Sequence, residues 1–294
     1  PGTVSYLSHG TTVGTNAVLE NDLPDIGLIT NDGLRDVLEI GDQTRPALYD
    51  LQVEKPPSLV PRRLRRGVPG RLDSRGNEVD PLDEAAVRAE VDHLVDEGVE
   101  SIVVSMLFSY LNERHERRVG ELIEAHDADV AWTRSSAVHP ESREYDRTIT
   151  TVLNEAVKTT VEEYFTRLDA GIAERDLDVP LNVMHSGGGI FSTDQAIKHA
   201  IRTVVSGPSA GATAAREVTR AEGLENAIGI DMGGTSADVS IVRDGEIVRS
   251  TEGEINDLPV KTPMVEINTV GAGGGSIAWL DEGGALRVGP ESAG

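Results

Sequence analysis

Across residues 147–175 the apolar positions Ile149, Val152, Leu153, Ala156, Val157, Val161, Tyr164, Phe165, Leu168 and Ile172 fall three and four apart. At 3.6 residues per turn such positions share one face, so the spacing predicts a long amphipathic helix. A helix of this length suits a connection between two lobes. An ordinary core helix fits the pattern equally well.

On either side of that stretch, strand-like and helix-like segments alternate. Residues 6–9 read as a short strand leading into a helical stretch near residue 20, and residues 26–30 as an apolar strand stopped by Asn31-Asp32-Gly33. A helix is expected over 81–97, with Val87, Val91, Leu94 and Val95 on one face. A buried strand is expected over 101–108 and a further helix over 113–125. This recurrence favours an α/β fold with a mostly parallel layered sheet over a sandwich or a barrel. Prolines 56, 57, 61 and 69 interrupt the pattern, as does the run Arg62-Arg63-Leu64-Arg65-Arg66. No aromatic residue interleaves that run and the chain is acidic, so internal salt bridges or a subunit contact fit it better than nucleic acid. After Pro180 the sequence reads as a strand over 181–185, a small-residue helix over 212–222, a β-meander over 227–249, and two short strands around 281–284.

Aspartate and glutamate number 50 against 27 lysines and arginines, a formal net charge of −23. Such a surface repels nucleic-acid phosphates and anionic membranes. The apolar runs fall well short of the roughly 20 residues that span a bilayer, and no charged-then-apolar leader opens the sequence, so a soluble, cytoplasmic protein is expected. Cysteine is absent, which excludes disulfides, thiolate nucleophiles and cysteine-ligated metals. Histidines are scattered, without a metal-binding spacing. Only four basic residues, Lys55, Lys158, Lys198 and Lys261, are lysines. With the acid excess, this is the pattern expected of a halophilic protein.

The strongest chemical signal is Asp231-Met232-Gly233-Gly234-Thr235-Ser236-Ala237-Asp238, set between two apolar strands. Glycines let backbone N–H groups approach a phosphate, and hydroxyls add donors. Two carboxylates at the strand ends can hold a hydrated Mg2+ or orient an attacking group. Neither a Walker P-loop nor a convincing Rossmann fingerprint is present. A plain structural Gly-Gly turn is the alternative.

That octapeptide resembles the second phosphate hairpin of the actin, Hsp70 and sugar-kinase superfamily. More narrowly, the chain resembles the hydantoinase A / 5-oxoprolinase family. The supporting segments are HGTTVGTNAVLE at 9–20, GLITNDGLRDVLEIGDQTRPALYDL at 27–51, HPESREYDRTITTVLNEAV at 139–157, HSGGGIFSTDQA at 185–196, RTVVSGPSAGA at 202–212 and the stretch 268–294. The resemblance implies two RNase-H-like lobes, the first incomplete, clasping ATP between them. The expected division is a remainder of the first lobe (1–54), an inserted α/β module (55–140), a connecting helix (141–179) and a second lobe (180–294). Relatives of this kind carry a first DxGGTxTD hairpin ahead of the HGTT segment and continue past residue 294. The chain is therefore expected to be a piece truncated at both ends, binding nucleotide weakly by itself.

The chemistry implied is ring opening of a cyclic amide or imide by phosphorylation of its carbonyl, coupled to ATP hydrolysis. Asp231 and Asp238 would act as catalytic and metal-holding residues. Gly233, Gly234, Thr235, Ser236, Thr11, Thr12, Gly188, Gly207, Gly273 and Gly274 would border nucleotide, and Asn16, Arg45 and Arg143 would meet substrate. His9 or His139 as general base is a further option. A hydantoinase B-type subunit or domain is the implied partner, and a homo-oligomer stays open. The alternatives are an acetone-carboxylase-type ATP-using subunit, a non-catalytic fragment that keeps the fold, and a sugar kinase.

Overall fold

The computed structural model describes residues 4–20, 23–44, 49, 52, 58–175, 179–255 and 258–293. In chain order the elements that position the site are β1 (Leu7–His9), α1 (Val13–Glu20), β2 (Ile26–Asn31), β3 (Arg65–Val68), α2 (Glu84–Asp96), β4 (Ser101–Val104), α3 (Arg114–Glu124), β5 (Ala131–Arg134) and α4 (Glu144–Ala173). There follow β6 (Leu181–Met184), β7 (Ile190–Ser192), α5 (Ser206–Ala221), β8 (Ala227–Met232), β9 (Ala237–Arg243), β10 (Glu246–Ile247), β11 (Ile267–Val270), β12 (Ser276–Leu280) and β13 (Leu286–Ser292).

Strands β3, β2, β4 and β5 lie in that order, all parallel. Every residue of β2 and of β4 is buried, as the continuous apolar runs imply for the inner strands of a covered parallel sheet. The pairing crosses the expected boundary at residues 54 and 55, since β2 from before it lies between β3 and β4 from after it. Helix α2 starts three residues later than Pro81 because the Asp83 carboxylate caps it, accepting from the amides of Ala85 and Ala86, both at 3.0 Å. Strand β4 stops at Val104 and leaves 105–108 outside the strand; Phe108 is left-handed, φ 59°. The arginine run serves internal salt bridges: Arg62 to Asp36, Arg63 to Glu97 and Arg65 to Glu39 at 2.9 Å each, and Arg66 to Glu90.

The long helix α4 runs over Glu144–Ala173, and its burial changes along its length. Residues 146–157 are buried on every side, while further along only Val161 and Phe165 are. It packs against β2, β4 and β5 and also against α1 and the turn at 200–203, so it joins the parallel sheet to the second half. There β1 pairs in parallel with β6, and β7 joins β6 antiparallel. Strands β8, β9 and β10 form the expected antiparallel meander, with β11 on the other edge of β9. Helix α5 begins six residues earlier than Ala212, taking in Gly207 and Pro208, since a proline in the first helical turn forfeits no helical hydrogen bond. Among the described residues no helix is long and apolar enough to cross a membrane.

The main core gathers around α4 and the parallel sheet. The meander carries only a small cluster of Ala212, Ile247 and Val265. One of its faces meets α5, where a Cβ on Gly229 would lie 3.1 Å from that of Ala215. Because side chains alternate along a strand, Ile228, Ile230 and Met232 stand on the opposite face, and all three are exposed.

Candidate functional site

Antiparallel register pairs Met232 with Ala237 and Asp231 with Asp238, immediately before and after the turn at 233–236. Directly opposed residues share a face with Cβ atoms about 5 Å apart, and like charges so placed repel unless a cation or donor lies between them. Asp238 has one such donor: Thr269 Oγ1 on β11 gives its proton to Oδ1 at 2.6 Å. Asp231 points toward α5, its Oδ2 lying 3.9 Å from the place a Cβ on Gly211 would occupy. The two acids therefore sit on the helix-facing side of the meander.

The turn is held from one side only. Gly233 turns its amide inward to Ser236 O at 2.9 Å. The second glycine run closes on the same turn: Gly274 donates to Gly233 O at 2.9 Å, Gly275 donates to Gly234 O at 2.7 Å, and Gly273 N reaches Ser276 Oγ at 2.8 Å. A Cβ on Gly273 would lie 2.7 Å from Gly233 O and from the carbonyl of Gly234, so only glycine allows this approach. Nothing lies within 4 Å of where a Cβ on Gly234 would be. Gly234 and the exposed Thr235 thus border open space, with the half-buried Ser236 beside them.

Two further segments meet at the start of α5. Thr11 N donates to Ser206 Oγ at 3.1 Å, and that hydroxyl donates to Thr11 O at 2.9 Å. Thr11 Oγ1 also accepts from Val13 N at 3.2 Å, which caps α1. Val205, just before α5, is left-handed at φ 59° and ψ 23°, a strained conformation for a β-branched residue, and its amide reaches Thr15 Oγ1 at 3.2 Å. A Cβ on Gly10 would lie 3.8 Å from Gly207 Cα, while the space around Gly207 itself is open. Gly207 and Gly211 are one turn apart on α5, so the open helix start and the Asp231 carboxylate lie along the same face of that helix.

The other expected residues stand as follows. Thr12 is exposed, and its carbonyl takes Asn16 N at 2.8 Å; Asn16 is exposed one turn along α1. Gly188, at φ 79°, lies against α5, a Cβ there falling 3.2 Å from Thr213 Oγ1. Arg45 lies outside the described residues. Arg143 is exposed at the start of α4, 3.8 Å from Asp146. His9 binds Tyr164 OH through Nε2 at 2.7 Å and stacks on that ring, and His139 is buried beside Glu141; burial holds both imidazoles below the usual value. Thr269 and Ser206 were not singled out by sequence reasoning, because neither belongs to a phosphate motif and only the register of β9 with β11 and the approach of residue 11 bring them in.

Two carboxylates and a hydroxyl are hard oxygen donors, the set that suits Mg2+ completed by phosphate oxygens and water. Among the described residues no group of three or more His, Cys, Asp or Glu side chains gathers as a metal cage, so the pair depends on oxygens brought by a ligand.

The hydantoinase/oxoprolinase family pattern matches residues 147–294, and the pattern of that family's N-terminal region matches residues 1–127. The chain is 37% identical over 288 residues to caprolactamase subunit alpha of Pseudomonas jessenii, covering 97% of this chain and 41% of that protein. The crystal structure of the ATP-dependent caprolactamase from the same organism superposes with a TM-score of 0.86 over 97% of this chain and 42% of that one. The nucleotide-free structure of acetone carboxylase, 31% identical, gives a TM-score of 0.80 over 98% and 42%. The chain thus spans about two fifths of the length of these relatives. Its fold is the two-lobed α/β fold of the actin, Hsp70 and sugar-kinase type expected from the hairpin. With both patterns and the whole described chain in agreement, the chain belongs to the hydantoinase/oxoprolinase family.

Proposed function

We propose that the chain is the nucleotide-handling part of an ATP-dependent cyclic amide hydrolase. The observation that carries this reading is the opposed pair Asp231 and Asp238 over an open Gly233–Gly234 turn, beside the open start of α5. Bound Mg2+ and ATP would supply an electrophilic phosphoryl group for an amide oxygen. Asp231 and Asp238 would hold the metal, with Thr269 fixing the orientation of Asp238. Thr235 and the open backbone at Gly234 would donate to phosphate oxygens, and the backbone at Ser206 and Gly207 would favour negative charge through the helix start. The loop at 273–275 would keep the turn from collapsing. Transfer of that phosphoryl group to the carbonyl oxygen, with ADP leaving, would make the carbonyl carbon electrophilic; water would add there, the adduct would break the ring C–N bond with the nitrogen leaving as a protonated amine, and a second water would release phosphate from the resulting acyl phosphate. Thr11 and Thr12 remain candidates for the nucleotide side, and Asn16, Arg143 and Arg45 for the substrate side. A B-type partner subunit fits the naming of the caprolactamase relative as subunit alpha. The greater identity to caprolactamase than to acetone carboxylase favours amide over ketone chemistry.

Two measurements test the reading. Mg-ATP titration of this chain by calorimetry should show binding that Asp231→Asn weakens by about tenfold, the cost of one charge-assisted contact. Ring-amide-dependent ATP hydrolysis by the full-length protein should exceed that with acetone and bicarbonate. Equal turnover with acetone, or nucleotide binding indifferent to Asp231, would overturn it.

A further inference from the structure

Asp146, in the first turn of α4, is 5% exposed, and its Oδ1 is buried without a hydrogen-bond partner among the described residues. Two cations stand close to the other oxygen, beyond hydrogen-bond length: Lys261 Nζ at 3.9 Å and Arg143 Nη1 at 3.8 Å. A buried carboxylate commonly fills its lone pairs with donors, and one that does not marks strain or a place kept for a ligand. Its surroundings are assembled from four segments. They comprise Asp42 just after the short helix Val37–Ile40, Tyr145 whose ring packs on Gly41, the buried His139, and Lys261, whose backbone amide bonds Thr150 Oγ1 at 3.2 Å. Arg143, just before α4, has φ 75°, a strained conformation for a residue other than glycine.

The charges decide what such a place accepts. Asp42, Asp146 and Glu252 outnumber Arg143 and Lys261, so neither a free phosphate nor a free carboxylate is favoured. Lys261 spends one of its three N–H donors on the exposed Glu252 at 2.9 Å and keeps others. The cluster therefore offers an acceptor and a donor side by side, at 3.9 Å, in a setting that repels anions and leaves a neutral ligand favoured. A secondary amide held cis by a small ring presents N–H and C=O along one edge, whereas an open-chain trans amide points them apart.

We propose that Asp146 and Lys261 form the recognition site for the cis-amide edge of the substrate ring, Asp146 accepting the ring N–H and Lys261 donating to the ring carbonyl. The proposal rests on the cyclic amide reading above and assigns specificity to residues that no phosphate motif contains. Arg143, exposed and adjacent, would cover the ring from outside.

The test uses this chain without nucleotide, with 2-pyrrolidinone and N-methyl-2-pyrrolidinone as probes and amide-resolved NMR titration as readout. The unmethylated ring should shift residues 139–146 and 261, and the methylated ring should bind roughly tenfold or more weakly because it leaves the acceptor unpaired. Asp146→Ala and Lys261→Met should each weaken 2-pyrrolidinone by a similar factor. Asp146→Ala should keep or raise the thermal midpoint, since it removes an unpaired buried carboxylate. A merely structural Asp146 would instead lower it. Equal affinity for the two rings, no response at these residues, or variants that bind like the wild type would overturn the proposal. Mg-ATP binding without a ring-amide response would refute this site alone, and the converse would refute the nucleotide reading alone.

Discussion

The two glycines of the hairpin region that look alike in the sequence have opposite surroundings, and substitution separates them. Gly273→Ala would drive a methyl into the carbonyls of Gly233 and Gly234, forcing the two glycine loops apart at a cost of about 1–3 kcal/mol. Gly234→Ala meets nothing within 4 Å, so its thermal midpoint should stay close to wild type while nucleotide binding falls, if phosphate approaches there. Calorimetry beside thermal melting reads both, and a Gly234→Ala chain that binds Mg-ATP normally would place the phosphate elsewhere. His185 offers a second check at this scale. Burial, with Arg202 and Arg249 adding to it, pushes its imidazole down to about 4, and its Nδ1 accepts from Gly187 N at 3.0 Å. The unfolded chain then takes up this proton first as pH falls. The neutral ring's contribution to stability is complete above about 6.5 and is lost between there and 4. An NMR titration of the ring should give a midpoint near 4, and one above 6 would contradict the buried geometry.

At the scale of elements, α4 is the piece on which the rest is assembled. Phe165 is fully buried where the helix has become one-sided, so Phe165→Ala should cost about 3–5 kcal/mol in denaturant unfolding. A loss below 1 kcal/mol would mean that the far half of α4 is not packed as described. The helix was legible in the sequence because periodicity is a local property, and its boundaries moved by only a few residues. The hairpin was legible for the same reason, glycines between two apolar runs. Strand β2 was legible as a strand, yet its place between β3 and β4 was not, since that pairing joins residues 28 and 65 through long-range register. The short strands at 253–255 and 258–260 went unseen because two- and three-residue pairings carry little pattern. Asp146 lies in a segment quoted for its family resemblance, but burial without a partner depends on what Lys261 and Asp42 bring from elsewhere. Lys261 had no local signal beyond being one of four lysines.

Two opposing forces act on the molecule as a whole, and salt decides between them. A net charge of −23 makes each chain repel itself and its copies. Against this, the open face of the meander exposes Ile228, Ile230 and Met232, and the β12–β13 ribbon exposes Trp279, Leu280 and Leu286. Contiguous apolar surface of this kind drives association once repulsion is weak. Added salt shortens the Debye length from about 10 Å at 0.1 M to about 3 Å at 1 M, so it removes both intramolecular and intermolecular repulsion. The thermal midpoint of this chain should therefore rise from 0.1 to 2 M KCl. Sedimentation velocity should show a monomer at the low end and association at the high end. The double variant Ile228→Ser, Ile230→Ser separates the effects, because those side chains touch solvent rather than core: it should stay monomeric in 2 M KCl while its thermal midpoint still rises. A midpoint that falls with salt in both proteins would show that ion pairs such as Arg62 with Asp36 and Arg118 with Glu84 outweigh the excess of like charge.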